Sequence, residues 1–338
     1  MTPPKSRGPA RLLLNLARPW GEQEPLPLAR RALAAGFHGV GLADSPRLIP
    51  DSWLETERIL AQTEARLAGP VVASLGLRHP ATVAGAVRTL EHHHPGRVLA
   101  VMGRGESSVH NEGVPVPSLR DYRARMETLR RLLRGDDGAD RLPGRLLGAA
   151  SGPRSITATA QALGGVLIDV GVDPETVGRA VGLTHTAEPE ARVWLFLRAL
   201  VVAEPEQAAL AAAPLIGSCA MRMAAAPDWF GLDTTGLAAA RAVAARHDYG
   251  RHGTANTTAD LGDSDEARLV RDRFLLITSA AEMTRRVTGL AGLGIDGLVV
   301  AGGLPGVVPG LNALADALSS GLAPGVEPSK PPSTKETP

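Results

Sequence analysis

Pro95-Gly96-Arg97-Val98-Leu99-Ala100-Val101-Met102-Gly103-Arg104-Gly105-Glu106 reads as a turn, a short buried strand over Val98–Met102, and a glycine-flanked arginine that ends on a carboxylate. An apolar run of this length between turn signals is a strand buried on both faces, as in a parallel sheet. The two glycines that follow let a flat ligand approach the backbone. Strand C-terminal ends are where chemistry collects in parallel α/β folds. In a chain with 38 glycines a Gly-x-Gly arises by chance, so its weight depends on its surroundings.

Working outward, short apolar runs alternate with longer amphipathic segments. Strands are expected at Arg11–Leu16, Phe37–Ala43, Gly69–Leu77, Arg145–Ala150, Val166–Val170, Val193–Val202 and Gly297–Ala301. Helices are expected at Pro25–Ala35, Asp51–Ala68, Pro80–His93, Leu119–Arg134, Pro153–Leu163 and Pro174–Val181. Eight β-α units favour a closed (β/α)8 TIM barrel over an open doubly wound sheet. The rhythm breaks between 204 and 272, first Ala-rich and helical, then polar from Tyr249 to Asp263. That segment is expected to be an insertion over the barrel mouth or at a subunit contact. The domain is bounded at 11–320, between a flexible arm (1–10) and a disordered tail (321–338).

Composition excludes several classes. The 338 residues, 44% of them hydrophobic, suffice for a large core, and a net charge of +1 gives no electrostatic case for nucleic acid. Lysine occurs only at Lys5, Lys330 and Lys335, so the body carries no Schiff-base or P-loop lysine. The single Cys219 rules out a disulfide framework. No apolar leader and no run of about 18 apolar residues stands out. The expectation is a soluble cytoplasmic homodimer acting on a small molecule, with no membrane partner. His92-His93-His94 lacks matched ligand spacing, so a metal site is not expected.

Polar and glycine residues gather where the expected strands end. Ala150-Ser151-Gly152-Pro153-Arg154 joins a strand to a helix whose first N–H groups, with the Ser151 hydroxyl and Arg154, suit a phosphate. The alternative is an ordinary helix cap with a solvated arginine. Asp44 could accept hydrogen bonds from a ring N–H or hydroxyl, or could be a turn aspartate. Glu106 could donate a proton if partly buried beside a bound ring, or could be a solvated loop carboxylate.

In order and spacing these pieces resemble the bacterial luciferase-like monooxygenase superfamily, and within it the coenzyme F420 (deazaflavin) branch that includes methylene-tetrahydromethanopterin reductase-like proteins. The matching residues are Ala35-Gly36-Phe37-His38-Gly39-Val40, Asp44, Arg78-His79-Pro80, Pro95-Gly96-Arg97-Val98, Gly103-Arg104-Gly105-Glu106, Asn111-Glu112, Ala150–Arg154 and Leu293-Gly294-Ile295-Asp296-Gly297-Leu298. The resemblance covers about residues 12 to 302. It implies a barrel that holds F420, or alternatively FMN, with the ring against a bulge at the end of the third strand, near Val71-Val72 and Ser74. That bulge often carries a non-prolyl cis peptide. It further implies phosphate contacts at Ala150–Arg154, with Gly171 nearby, and ring contacts at Asp44, Ser45 and Gly103–Glu106. Asp44 and Glu106 are the catalytic candidates. The chain departs from several relatives in having Ser45 where they carry histidine, which makes alcohol oxidation less favoured. Arg104 stands where a smaller residue is common and is a candidate for meeting a substrate carboxylate or the cofactor tail. The expected activity is reduction of a C=N or C=C bond by reduced F420; an FMN-dependent monooxygenase and a non-catalytic flavin-binding relative are the alternatives.

Overall fold

Eight parallel strands close a ring in the computed structural model, which describes residues 11–17, 24–135, 138–204, 206–251, 261–301 and 310–323. Strands β1 (Arg11–Leu16), β2 (Gly39–Leu42), β3 (Leu67–Ser74), β4 (Ala100–Gly103), β5 (Leu146–Ala150) and β6 (Gly165–Ile168) pair in chain order. β7 (Arg192–Val201) pairs with β6 through residues 192–195 and with β9 (Gly297–Ala301) through 194–198; β9 closes on β1. Eight strands thus form the barrel. A short ninth, β8 (Leu275–Thr278), pairs with the last residues of β7.

Helices lie outside and between the strands, and local chemistry starts them. In α2 (Ser52–Gln62) the Asp51 carboxylate caps the N–H groups of Trp53 and Leu54. Proline occupies the first turn of α1 (Pro25–Ala34) and α3 (Pro80–His93). It does so again in α6 (Pro153–Leu163) and α7 (Pro174–Ala187), where its missing N–H costs nothing. Between these lie α4 (Glu106–Asn111) and α5 (Leu119–Leu133).

Period-2 alternation sorts the strand residues into two cores. Leu13, Leu67, Val71, Leu99, Val101, Leu147, Leu167, Trp194 and Val299 fill the barrel interior. Residues of opposite parity, such as Leu12, Leu14, Val40 and Leu42, pack against the helices. Aliphatic side chains dominate both, as the aromatic content of only 3% requires.

The (β/α)8 expectation holds, with four differences. Helix α2 ends at Gln62 rather than Ala68, because Leu67 onward is taken into β3, paired with Gly39 onward. Helix α7 runs on to Ala187, six residues past the expected end. β8 and the short α4 were not anticipated, being four and six residues long. The 204–272 segment forms α8 (Gln207–Ala225), α9 (Thr234–Ala244), a 3-10 turn Tyr249–Arg251 and α10 (Asp265–Phe274). After it come α11 (Ala280–Ala291) and α12 (Leu311–Leu322); α12 carries the domain slightly past the expected limit at 320. By length and composition α8 is apolar enough to cross a membrane. It contains Pro214 and Arg222 and packs on α9, α10 and β8. The expected arm, most of the expected tail and most of the polar stretch before Asp263 lie outside the described residues.

Candidate active site

The inward parity that fills the barrel with Leu13, Leu167 and Trp194 continues upward to Asn15 on β1, Asp169 just beyond β6, and Arg198 on β7. The last interior layer before the C-terminal rim is therefore polar. Arg198 grips Asp169 with two bonds, Nη1 to Oδ1 at 2.6 Å and Nη2 to Oδ2 at 3.0 Å, and its guanidinium lies over the Phe196 ring at 4.9 Å. From α8, Arg222 adds a third contact, Nε to Asp169 Oδ2 at 2.9 Å. Burial pushes the Asp169 carboxyl up, but the two guanidiniums outweigh it and hold it below the usual carboxylate range. Two cations share one anion, so this buried cluster carries net positive charge. Beside it Cys219 is a buried free thiol, pushed up chiefly by burial.

Among the described residues, Asn15 Oδ1 and Ser45 Oγ are buried and without a hydrogen-bond partner. Asn15 sits at the end of β1 opposite Gly41 of β2, and Ser45 follows the end of β2. An unsatisfied buried polar group costs on the order of 1–3 kcal/mol, and a bound water or ligand is the usual way such a cost is met.

The bulge expected at the end of the third strand is present. The β3–β4 register shifts between Val71 and Ala73, and the Val71-Val72 peptide is cis. Val72 lies across Gly103: a Cβ on Gly103 would stand 2.5 Å from Val72 Cγ1. Gly105 has φ +82°, and a Cβ there would meet Ser74 Oγ at 1.8 Å. That hydroxyl accepts from Gly76 N–H at 3.0 Å and donates to the Arg104 carbonyl at 3.2 Å. Ser74 and Gly105 therefore lock the ends of β3 and β4 together, so Ser74 is a positioning residue.

The other expected contact residues have these surroundings. The Asp44 side chain, 1% exposed, does not face an open mouth: Arg78 takes both its oxygens, and Ser52 Oγ donates at 3.0 Å. Arg104 is exposed, and its Nε and Nη2 donate to the Pro117 carbonyl at 3.0 and 2.8 Å, so its guanidinium is committed to the chain. Glu106 is exposed in the first turn of α4 instead of half-buried. Gly171, at φ +83°, leaves room for the Arg273 carbonyl, which a Cβ would approach to 2.3 Å; packing alone requires a glycine there.

Ala150, Ser151, Gly152, Pro153 and Arg154 lead from β5 into α6 as expected. Gly152 is the N-cap; Ser155 Oγ donates to the Gly152 carbonyl at 2.8 Å and lies 3.2 Å from the Gly152 N–H. Among the described residues Ser151 and Arg154 make no side-chain hydrogen bond, which leaves both available to a ligand at the rim.

The inserted segment crosses to α4, where Asn111 Nδ2 donates to the Tyr249 carbonyl at 3.1 Å. The Tyr249 ring contacts His110 at 4.6 Å and His247 at 4.9 Å between centroids. Burial, reinforced by the Glu106 carboxylate, pushes the Tyr249 phenol up to about 12. Burial and then Arg222 lower His247, against the opposing pull of Asp248 and Glu106. Glu106, His110, His247 and Tyr249 thus share one side of the rim. Neither the polar layer nor this cluster was anticipated. Inward parity could have found Asn15, Asp169 and Arg198; nothing in the sequence signals that residues 247–249 return to α4.

A closed parallel barrel with its polar groups collected at the strand C-terminal ends defines a β/α-barrel protein of the kind that carries its site at that rim. The sequence profile of the luciferase-like monooxygenases matches residues 21–297, and the chain belongs to that family. Among solved structures it is similar to the coenzyme F420-dependent tetrahydromethanopterin reductase of Methanopyrus kandleri, at 17% identity over 92% of this chain and 98% of that one, TM-score 0.70. An F420-dependent secondary alcohol dehydrogenase bound to an F420–acetone adduct gives 16% identity, 92% and 99% coverage and TM-score 0.69. The EDTA monooxygenase of Chelativorans sp. gives 14%, 94% and 95%, and 0.60. No protein of curated function matches the chain by sequence.

Proposed function

We propose that the chain is an F420-dependent oxidoreductase that reduces a C=N or C=C bond of a small-molecule substrate. The observation that carries the reading is the pair of orphaned buried acceptors, Asn15 Oδ1 and Ser45 Oγ. They lie at the ends of adjacent strands and fit the N–H and hydroxyl edge of a flat heterocycle. The Ala150–Arg154 turn fits a phosphate, with Ser151 and Arg154 unengaged. When bound, reduced F420 would supply a hydride; position, charge and protons are the protein's share.

The chain's own groups meet those three needs. The Val72 side chain packs directly over Gly103 at the strand ends, where only a glycine fits. The Asp169–Arg198–Arg222 cluster carries net positive charge under the mouth and stabilises negative charge arriving above it. Glu106 is exposed at the rim beside His247 and Tyr249, where it can exchange protons with water. The two F420-dependent neighbours support this reading. Titrating the purified protein with F420 and with FMN tests it.

The second reading is an FMN-dependent monooxygenase, favoured by similarity to the EDTA monooxygenase. It requires a pocket sealed against water, whereas Glu106 stands exposed at the rim. Oxygen consumption in the presence of reduced FMN would support it.

A further inference from the structure

Arg222 reaches the polar layer from α8, in the segment that follows β7, and not from a barrel strand. The other two members of the cluster are committed to each other. Arg198 gives one nitrogen to each oxygen of Asp169, and its guanidinium lies over the Phe196 and Phe274 rings at 4.9 and 5.9 Å. Arg222 engages only part of its fork. Its Nε lies 2.9 Å from Asp169 Oδ2, and its Nη1 donates at 2.6 Å to the Ser218 carbonyl, one turn back on its own helix. Its Nη2 has no partner among the described residues, and the side chain is 23% exposed against 7% for Arg198.

The surroundings do not neutralise that group. His247 rests against the same helix: a Cβ on Gly217 would stand 2.7 Å from its Nδ1. Arg222 acts to lower both the His247 ring and the Tyr249 phenol, and the Glu106 carboxylate acts to raise both. The two charges therefore flank the same pair of side chains. Among the described residues Arg222 forms no ion pair with Glu106, nor with Asp248, the other carboxylate that acts on His247. Cys219, a turn earlier on α8, is a buried thiol pushed up chiefly by burial, so it stays neutral and adds no negative charge. The layer keeps a surplus of one positive charge, and the accessible part of it is the Nη2 edge of Arg222.

We infer that Arg222 selects a substrate bearing a single carboxylate, which docks on this Nη2 edge. The inference rests on the oxidoreductase reading and names the substrate class of that same site. A carboxylate matches a surplus of one charge, and its planar oxygens suit a guanidinium. A phosphate dianion would instead leave one negative charge unanswered in a largely buried layer, where an unpaired charge is costly. Arg198 does not meet the substrate. It holds Asp169, which together with the Ser218 carbonyl fixes the plane of Arg222, so Asp169 and Arg198 are positioning residues.

Formate is the probe, with formamide as its uncharged counterpart, both at constant ionic strength. A carboxylate bound at Arg222 offsets the charge that helps to lower His247. The His247 pKa, read by histidine NMR titration, should therefore rise with formate and stay fixed with formamide. Arg222→Gln leaves the Arg198–Asp169 pair in place and should weaken formate binding roughly tenfold, for loss of one charge-assisted hydrogen bond. Arg222→Lys keeps a cation there and should retain the shift at lower affinity. Arg154→Gln, at the turn suited to phosphate, should leave the shift unchanged. Protein saturated with F420 should respond to formate as the free protein does. No shift in the wild type, or one that survives undiminished in Arg222→Gln, overturns the proposal. A response abolished by F420 also overturns it, because the cofactor would then hold that position. If F420 does not bind while formate still shifts His247 through Arg222, the carboxylate site stands and only the deazaflavin reading falls.

Discussion

Arg78 closes on Asp44 with two parallel bonds, Nη2 to Oδ1 at 2.7 Å and Nε to Oδ2 at 3.0 Å, while the same Nη2 reaches Asp51 Oδ2 at 2.9 Å. Asp51 in turn caps α2. The aspartate that the resemblance places against the cofactor ring is therefore the hub joining the end of β2, the start of α2 and the loop before α3.

Removing one member of such a buried pair leaves the other uncompensated. Asp44→Ala should lower unfolding stability by about 3 kcal/mol, read from urea denaturation. Cofactor affinity in the folded fraction should change far less. A variant of wild-type stability that no longer binds cofactor would show that Asp44 serves the ligand directly.

Asn15→Leu separates stability from function. The replacement removes a buried orphan acceptor, so the chain should be as stable as wild type or gain up to about 1 kcal/mol. Cofactor affinity should fall roughly tenfold, for loss of one buried hydrogen bond. Loss of stability with unchanged affinity would mean that Asn15 is satisfied within the protein.

Glu106→Gln should reduce turnover about 100-fold with little change in cofactor affinity, and should flatten one limb of the pH–rate profile. The same variant should lower the His247 pKa further, because the Glu106 carboxylate is one of the groups holding it up. Histidine NMR titration reads that shift. An unchanged His247 titration would separate the two residues electrostatically.

Acid stability follows from the lowered histidines. Burial first, then Arg66 and Arg11, lower His38, whose Nδ1 accepts from Leu12 N–H at 3.1 Å. His247 is lowered as well. A depressed folded pKa means that the unfolded chain takes up protons first, near 6.5. Their stabilisation is complete above that value and is lost as pH falls through the folded pKa. The urea midpoint should drop between about pH 7 and 5, and less steeply in H38N. Identical slopes in the two proteins would contradict this origin.

The barrel was legible in the sequence because its strands are short apolar runs separated by proline-started helices, as at Pro80, Pro153 and Pro174. The Val71-Val72 bulge followed from family resemblance alone. The polar layer was less legible: Asp169 and Arg198 lie 29 positions apart and meet only when β6 and β7 pair. The partners of Arg104 and Asp44 were not legible for a related reason. Local spacing marks charged residues at strand ends, but whether a guanidinium turns to the mouth or to Pro117 depends on loops far along the chain. The return of Tyr249 to Asn111 spans 138 positions and leaves no local trace.

The central claim is the cofactor, and direct titration of the purified protein with F420 and with FMN tests it. Saturable F420 binding at micromolar concentration is expected, with weaker FMN binding and an F420 affinity reduced in Asn15→Leu. Micromolar FMN binding with no detectable F420 binding would contradict it.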